Sequence, residues 1–279
     1  MQTQIVDRQK RECPACQSHA STPLPQYSRD GWTMVQCAKC DQVYLNEAPV
    51  YEALSEDLAW TKQFAKEAER RKQKDPIVQW LDAKTRWRLH MFRDDEWGYI
   101  AERVEAGRVL DIGCGPVNRI PEKFTPYGIE IEKETAAIAD EKMRARGGRA
   151  VHAPALEGLA QFEDGFFNGI VMRSYLEHEA HPRAVLEASF RKLAPGGAIY
   201  VKVPNFGTVN RVVRGAEWCG FRYPDHLNQF TIPGLKKLAE SIGYRFELKN
   251  NLTRYTNDNL HSFLVRPQQP PADAQRPDA

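Results

Sequence analysis

Four of the six cysteines stand in two C-x-x-C pairs, Cys13/Cys16 and Cys37/Cys40, with twenty residues between the pairs. Each pair can form a tight turn that presents two thiolates, and two such turns complete a tetrahedral metal site. Structural zinc is the expected occupant, because zinc accepts four thiolates without redox demands; iron suits the same geometry. A closed set of four sulfurs leaves no coordination position for a substrate, so this metal is read as architectural. Cys114 and Cys219 stand alone.

A second group lies in VLDIGCGP, residues 109–116. A strand running into Asp111 meets Gly113 and Gly115, which let the chain turn tightly around Cys114 while a ligand approaches the backbone. YGIEI then places Glu130, followed by Ile131, near the end of a second strand, where a carboxylate can accept both hydroxyls of a ribose. Asp111 either binds a ligand ammonium directly or braces the loop amides from beneath. A third group follows the fourth strand: Tyr175, Glu177 and His178. His178 can remove a proton near neutral pH, Glu177 can orient it or bind substrate, and Tyr175 can donate to an oxyanion. The segment 205–229 is rich in aromatic, basic and amide side chains. It adds His226 as a further catalytic candidate and Arg222, Tyr223, Asp225 and Asn228 as substrate contacts, with Trp218, Phe221 and Phe230 as its anchors.

Such groups need a scaffold that brings several strand ends to one edge. Strand-like runs occur at Arg108–Ile112, Tyr127–Ile131, Ala150–His152, Gly169–Arg173 and 198–203. Helical runs cover Glu132–Arg146, Pro182–Leu193 and the stretch from a Thr231 cap to Ser241. Tyr244–Leu248 and His261–Val265 complete seven strands as an antiparallel pair. Continuous apolar strands with helices between them predict an α/β, Rossmann-like, mostly parallel sheet covered on both faces over residues 101–265. Residues 1–48 read as a zinc-ribbon-like module with little core of its own. Residues 49–100 read as a helical bridge, broken at Pro76, that serves as a substrate lid or a dimer contact. Residues 266–279 carry four prolines and no aromatic, the composition of a disordered tail.

With VLDIGCGP and YGIEI in place, FEDGFFNGIVMRSYLEHEAHP (162–182) and LAPGGAIYVKVPN extend the pattern, and residues 95–265 resemble the class I S-adenosylmethionine-dependent methyltransferases. The resemblance implies S-adenosylmethionine as cofactor. Gly113, Cys114 and Gly115 would face its methionine part, Glu130 its ribose and Ala153 its adenine, and the strand ending at Arg173 would lie beside the transferring methyl. It also implies that residues 205–229 form a substrate-covering insertion. Three departures stand out: Val117 at the third loop glycine, no acid near Ala153 in HAPALEG, and Asn168 for the usual aspartate before strand four. Quinone-pathway O-methyltransferases carry a related E-x-x-E-H segment that can hold a divalent cation. Here Ser174 replaces its first glutamate, which weakens the expectation of a second metal. The Tyr-x-Glu-His spacing together with a zinc module is similar to the sugar C-methyltransferases, which are longer chains.

Composition sets limits without choosing a substrate. Thirty-nine basic residues against thirty-seven acidic ones give a net charge of +2, which neither demands nor forbids nucleic acid. Ten basic and four acidic residues between Lys62 and Arg93 read equally as a helix surface. No apolar run reaches membrane-spanning length and no leader-like segment opens the chain, so a cytoplasmic protein is expected. The leading expectation is methyl transfer to a small molecule, with oxygen slightly favoured as acceptor and no nucleic-acid partner. An RNA base methyltransferase aided by the zinc module is the alternative, and a non-catalytic cofactor-binding protein the third reading. The bridge leaves a homodimer open.

Overall fold

A computed structural model describes residues 8–49, 95–116 and 120–268. The expected helices across 50–94, Val117 and the tail from residue 269 fall outside these. The N-terminal part is built from short strands: β1 (Arg8–Lys10), β2 (Ser21–Pro23), β3 (Met34–Cys37), β4 (Val43–Leu45) and β5 (Glu47–Pro49). β3 pairs antiparallel with both β2 and β4, so the two cysteine turns sit at the ends of adjoining strands.

After α1 (Glu96–Arg103), capped by the Asp95 carboxylate accepting from the Gly98 amide at 2.9 Å, the chain enters the main sheet. Its strands are β6 (Gly107–Ile112), β7 (Phe124–Glu130), β8 (Arg149–His152), β9 (Phe167–Arg173) and β10 (Leu193–Pro204), followed after an insertion by β12 (Arg245–Leu248) and β13 (Asn259–Val265). The order β12-β13-β10-β9-β6-β7-β8 is parallel from β10 to β8, and β13 runs antiparallel to both of its neighbours. The expected seven-stranded, mostly parallel sheet is therefore present. α2 (Lys133–Arg144), α3 (Ala155–Ala160) and α4 (Pro182–Lys192) connect the parallel strands. Central strands such as β9 are buried at nearly every residue, because helices cover both faces. Asn168 replaces a charge with a tie: its side-chain oxygen accepts from the Arg108 amide at 2.9 Å, joining the starts of β9 and β6.

The insertion contains α5 (Val209–Arg214), a cis Tyr223–Pro224 bond and a two-residue strand, β11 (Asn228–Gln229), before α6 (Ile232–Ile242). β11 pairs antiparallel with β4, so the cysteine-bearing sheet has the order β11-β4-β3-β2. The module's core is accordingly shared. Trp32, Met34, Val43 and Leu45 pack with Phe206, Trp218, Phe221 and Leu227 of the insertion in one buried cluster. Thr231 caps α6 as expected, accepting from the Gly234 amide at 3.1 Å. Among the described residues, no helix is long and apolar enough to cross a membrane.

Candidate functional site

The two cysteine turns have the same geometry. Cys13 and Cys37 each accept from the amide four residues on, Gln17 and Asp41, and both of those residues take the left-handed conformation at φ 60°. The repeated turn brings Cys13 and Cys40 sulfurs to 3.5 Å, and Cys16 and Cys37 sulfurs to 3.5 Å, with all four within 4.8 Å. Tetrahedral zinc thiolate sites need sulfurs about 3.8 Å apart, so the four residues fit one ion. The Lys39 amide points at Cys37 Sγ at 3.4 Å, offsetting part of the thiolate charge. The turns rest on α4, where Arg183 Nε donates to the Ala15 carbonyl at 3.0 Å.

At the C-terminal edge of the main sheet, Gly113 and Gly115 take φ of +72° and +62°, and a Cβ on Gly115 would meet nothing within 4 Å. The turn therefore leaves an open cradle along its backbone. Glu130 holds it: one carboxylate oxygen accepts from the Gly115 amide at 3.0 Å, the other from Ile131 at 2.9 Å and Glu132 at 3.1 Å. A carboxylate has about four acceptor positions, so capacity remains for a ribose hydroxyl. The Ala153 amide donates to the Glu130 carbonyl at 3.1 Å, placing the two at neighbouring strand ends. Cys114 is buried against Ala139 and Met143, so its backbone and not its thiol borders the cradle. Burial raises its thiol further.

Asp111 lies beneath the loop, 3% exposed, and accepts from Arg173 Nη2 at 2.8 Å. Burial outweighs that partner and pushes its carboxyl up to about 6, with Glu130 and Glu96 adding to the rise. Arg173 also faces Glu96 at 3.9 Å, and Glu96 accepts from Lys202 at 2.5 Å. Neither Glu96 nor Lys202 is marked by a sequence motif; each is an ordinary residue of its element.

The group after the fourth strand and the 205–229 segment meet. Tyr175 lies over the glycine turn, within 3.5 Å of where a Gly113 Cβ would stand, and its hydroxyl donates to Glu179. His178 Nδ1 faces two acceptors, the Asp225 carboxylate at 2.9 Å and the Asp225 carbonyl at 3.0 Å, so Nδ1 carries the hydrogen and Nε2 the lone pair. His226 packs edge-on against His178 with ring centroids 4.7 Å apart, and its Nδ1 donates to the Gly220 carbonyl at 2.8 Å. Burial, then the neighbouring His178, holds His226 well below the usual imidazole range. Glu177 is 1% exposed, with its carboxyl pushed up to about 7 by burial. Arg222 contributes positive charge to Glu177, His178 and Asp225.

Two expected substrate contacts are engaged elsewhere. Tyr223 donates its hydroxyl to the Tyr27 carbonyl of the module. Asn228 is a clamp: its amide nitrogen donates to the carbonyls of Leu176 (2.8 Å) and Glu179 (2.7 Å), and its oxygen accepts from Arg11 at 2.8 Å. Arg11, which carries no motif, also donates to the carbonyls of Ala180, Leu45 and Leu227 at 2.9, 3.2 and 3.2 Å. One arginine thus joins the module, the insertion and the turn after β9.

A family profile described as a methyltransferase domain matches residues 62–248. The ubiquinone biosynthesis O-methyltransferase of Pectobacterium carotovorum is 28% identical over 143 residues, 47% of this chain and 57% of that protein. The enzyme of the same description from Alkalilimnicola ehrlichii is 25% identical over 214 residues, 67% of this chain and 84% of that protein. The chain therefore spans little more than half of the first relative's length. A SAM-dependent methyltransferase from Archaeoglobus fulgidus superposes with a TM-score of 0.47 at 17% identity, over 68% of this chain and 99% of that one. The profile covers the glycine turn, Glu130, the Glu177–His178 segment and the whole insertion, and the chain belongs to the S-adenosylmethionine-dependent methyltransferase family.

Proposed function

We propose that the chain methylates a hydroxyl of a small molecule, such as a natural product, a sugar derivative or a quinone-like precursor, bound beneath residues 205–229. The observation that carries this reading is the His178–Asp225 pair, set beside His226 and one turn beyond Tyr175, which lies over the glycine turn. When bound, S-adenosylmethionine supplies an electrophilic methyl on a sulfonium, which is already a good leaving group. The protein's task is then alignment and exclusion of water, with modest acid–base help. Glu130 holds the ribose, the glycine turn borders the methionine part, and Asp111 with Arg173 meets its amino-acid end. Asp225 fixes the His178 tautomer so that Nε2 takes the hydroxyl proton. The names of the two relatives above, both O-methyltransferases, support oxygen as acceptor.

His178→Ala is expected to lower kcat/KM by about 10²–10⁴-fold while S-adenosylhomocysteine binds as before; Asp225→Asn should fall between it and the parent. Radiolabel transfer to a panel of phenols, catechols and nucleotide sugars, with product mass spectra, reads both. Undiminished transfer by His178→Ala would remove the histidine base from the proposal. Strong salt-dependent binding of RNA, with label in the RNA, would replace the acceptor class altogether.

Cofactor affinity should depend on pH through Asp111. Only the carboxylate pairs with the cofactor ammonium, so affinity is full above pH 6 and falls by up to about tenfold per pH unit below it. Arg173, Glu130 and Glu96 are the charges that face this carboxyl. Stability of the free chain runs the other way. Its raised Asp111 carboxyl favours the protonated folded state, so this group destabilises progressively as pH rises from about 4 to about 6. Calorimetric titration with S-adenosylhomocysteine across this range checks the first trend, and an affinity independent of pH would contradict it.

A further inference from the structure

We infer that α5 and the neighbouring turn at 250–258 form a peripheral docking surface for an anionic lipid membrane. Val209, Val212 and Val213 stand at i, i+3 and i+4 of α5, the spacing of an apolar stripe. Such a stripe ordinarily faces a core. Here it faces solvent, with the three valines 53, 65 and 78% exposed. The polar side chains of the same helix are engaged inward. Asn210 Nδ2 donates to Asp258 at 2.6 Å, and Arg211 donates to the Phe206 carbonyl and the Tyr27 hydroxyl, both at 2.9 Å. Hydrogen bonds therefore fix the helix with its apolar stripe outward. The 250–258 turn lies alongside, because the Val209 amide donates to the Tyr255 carbonyl at 2.8 Å and Asn205 Nδ2 to the Arg254 carbonyl at 2.7 Å. It adds exposed Tyr255 and fully exposed Leu252. Among the described residues, the other exposed large apolar side chains are Ile138 on α2 and Leu156 on α3. Apolar exposure is thus concentrated in one place, which marks an interaction site.

Charge selects the occupant. Residues 205–216 and 249–258 carry four basic residues and one acid. That acid, Asp258, has both oxygens taken, one by Asn210 and the other by Trp218 Nε1 at 2.8 Å. Arg214 and Arg254 are exposed beside the apolar side chains, and Arg254 lies over the Tyr255 ring at 4.8 Å. Aliphatic side chains flanked by cations and an aromatic ring have the composition of an interfacial membrane contact. Five side chains fall far short of the roughly 20 residues per partner that a stable protein interface uses. α5 lies in the insertion proposed to cover the acceptor, so docking brings that cover to the lipid surface. The lipid contact itself is read without turnover and does not rest on the acceptor.

The test is co-sedimentation of the full chain with vesicles of equimolar phosphatidylcholine and phosphatidylglycerol, and with vesicles of phosphatidylcholine alone. Binding to the anionic vesicles is expected, weakening as salt is added, with little binding to the neutral ones. Val213→Asp and Leu252→Asp should each weaken it by at least about tenfold, by withdrawing aliphatic carbons and adding a repelled charge. Arg214→Gln and Arg254→Gln should each lower it by about fivefold. Ile138→Asp, an exposed aliphatic on α2, should bind as the parent does. The substituted side chains are exposed, so thermal unfolding should be unchanged throughout. No binding to anionic vesicles, or undiminished binding by both Val213→Asp and Leu252→Asp, would overturn the inference. Self-association in sedimentation velocity that these two variants abolish, without lipid binding, would assign the patch to a second copy instead. Destabilisation by the same variants would show that the chain itself covers the patch, and would equally overturn it.

Discussion

Removing the metal from Cys13, Cys16, Cys37 and Cys40, by strong chelation or by Cys37→Ser, is expected to abolish methyl transfer while leaving much of the cofactor cradle intact. Structural zinc in small domains contributes apparent binding energies of about 10–16 kcal/mol, far above what strands of three or four residues supply on their own. β4 cannot persist without the cysteine turns that flank β3, and β11 pairs with β4. Asn228 and the preceding Asp225 and His226 then lose their support, and with them the anchor of His178. Gly113, Gly115, Glu130 and Asp111 belong to β6, β7 and their turns, which share no strand pairing with this sheet. The expected result is transfer reduced by at least about 10³-fold with S-adenosylhomocysteine affinity changed by less than about tenfold. Metal analysis, calorimetry and turnover on one preparation decide it. Full transfer by a chain shown to lack metal would refute the coupling.

Arg11→Met should be the most damaging single change outside the cysteines. The guanidinium spends its hydrogen bonds on three carbonyls and the Asn228 side chain. Hydrogen bonds to a charged group contribute about 1.5–3 kcal/mol each before relaxation, and stranded acceptors add their own cost. Allowing for water reaching a half-buried residue, a loss of about 3 kcal/mol is expected, or on the order of 10 °C in a chain of this size. Scanning calorimetry reads the shift, and a change of less than about 2 °C would show the contact to be incidental. Methionine keeps the stem's packing, so the difference isolates the charge.

Sequence reading reached the geometry where local spacing encodes it. Two C-x-x-C turns, the glycines around Cys114 and the acid at Glu130 each declare themselves within a few residues. The strands of the main sheet were legible for the same reason, because burial on both faces writes continuous apolar runs. What stayed hidden depends on partners far along the chain. His178 and Asp225 were candidates in separate groups, and nothing in either segment announces that they bond across 47 residues. Asn228 reads as a substrate contact because amides in a polar insertion usually face solvent or ligand; in the fold its amide nitrogen donates to two backbone carbonyls and its oxygen accepts from Arg11. Arg11, Glu96 and Glu179 belong to no motif, since a side chain that clamps carbonyls or pairs with a tyrosine needs no particular neighbours in sequence. The module likewise read as poor in core, and its missing core is the Trp218–Phe221 part of the insertion.

The pairing of β4 with β11 also has a consequence for biosynthesis. Arg11 and Asn228 are 217 residues apart. At ribosomal speeds of about 5–20 residues per second, roughly 10–40 s pass between the emergence of the two. During that interval the edge of β4 that β11 will cover lacks that partner, and Trp32, Met34, Val43 and Leu45 lack the insertion residues they pack against. Early metal capture by the cysteines, which the nascent chain already possesses, would hold these strands in register until the insertion arrives. Metal supply during translation would then govern how much of the protein reaches its folded state, apart from any role the ion has once folding is complete.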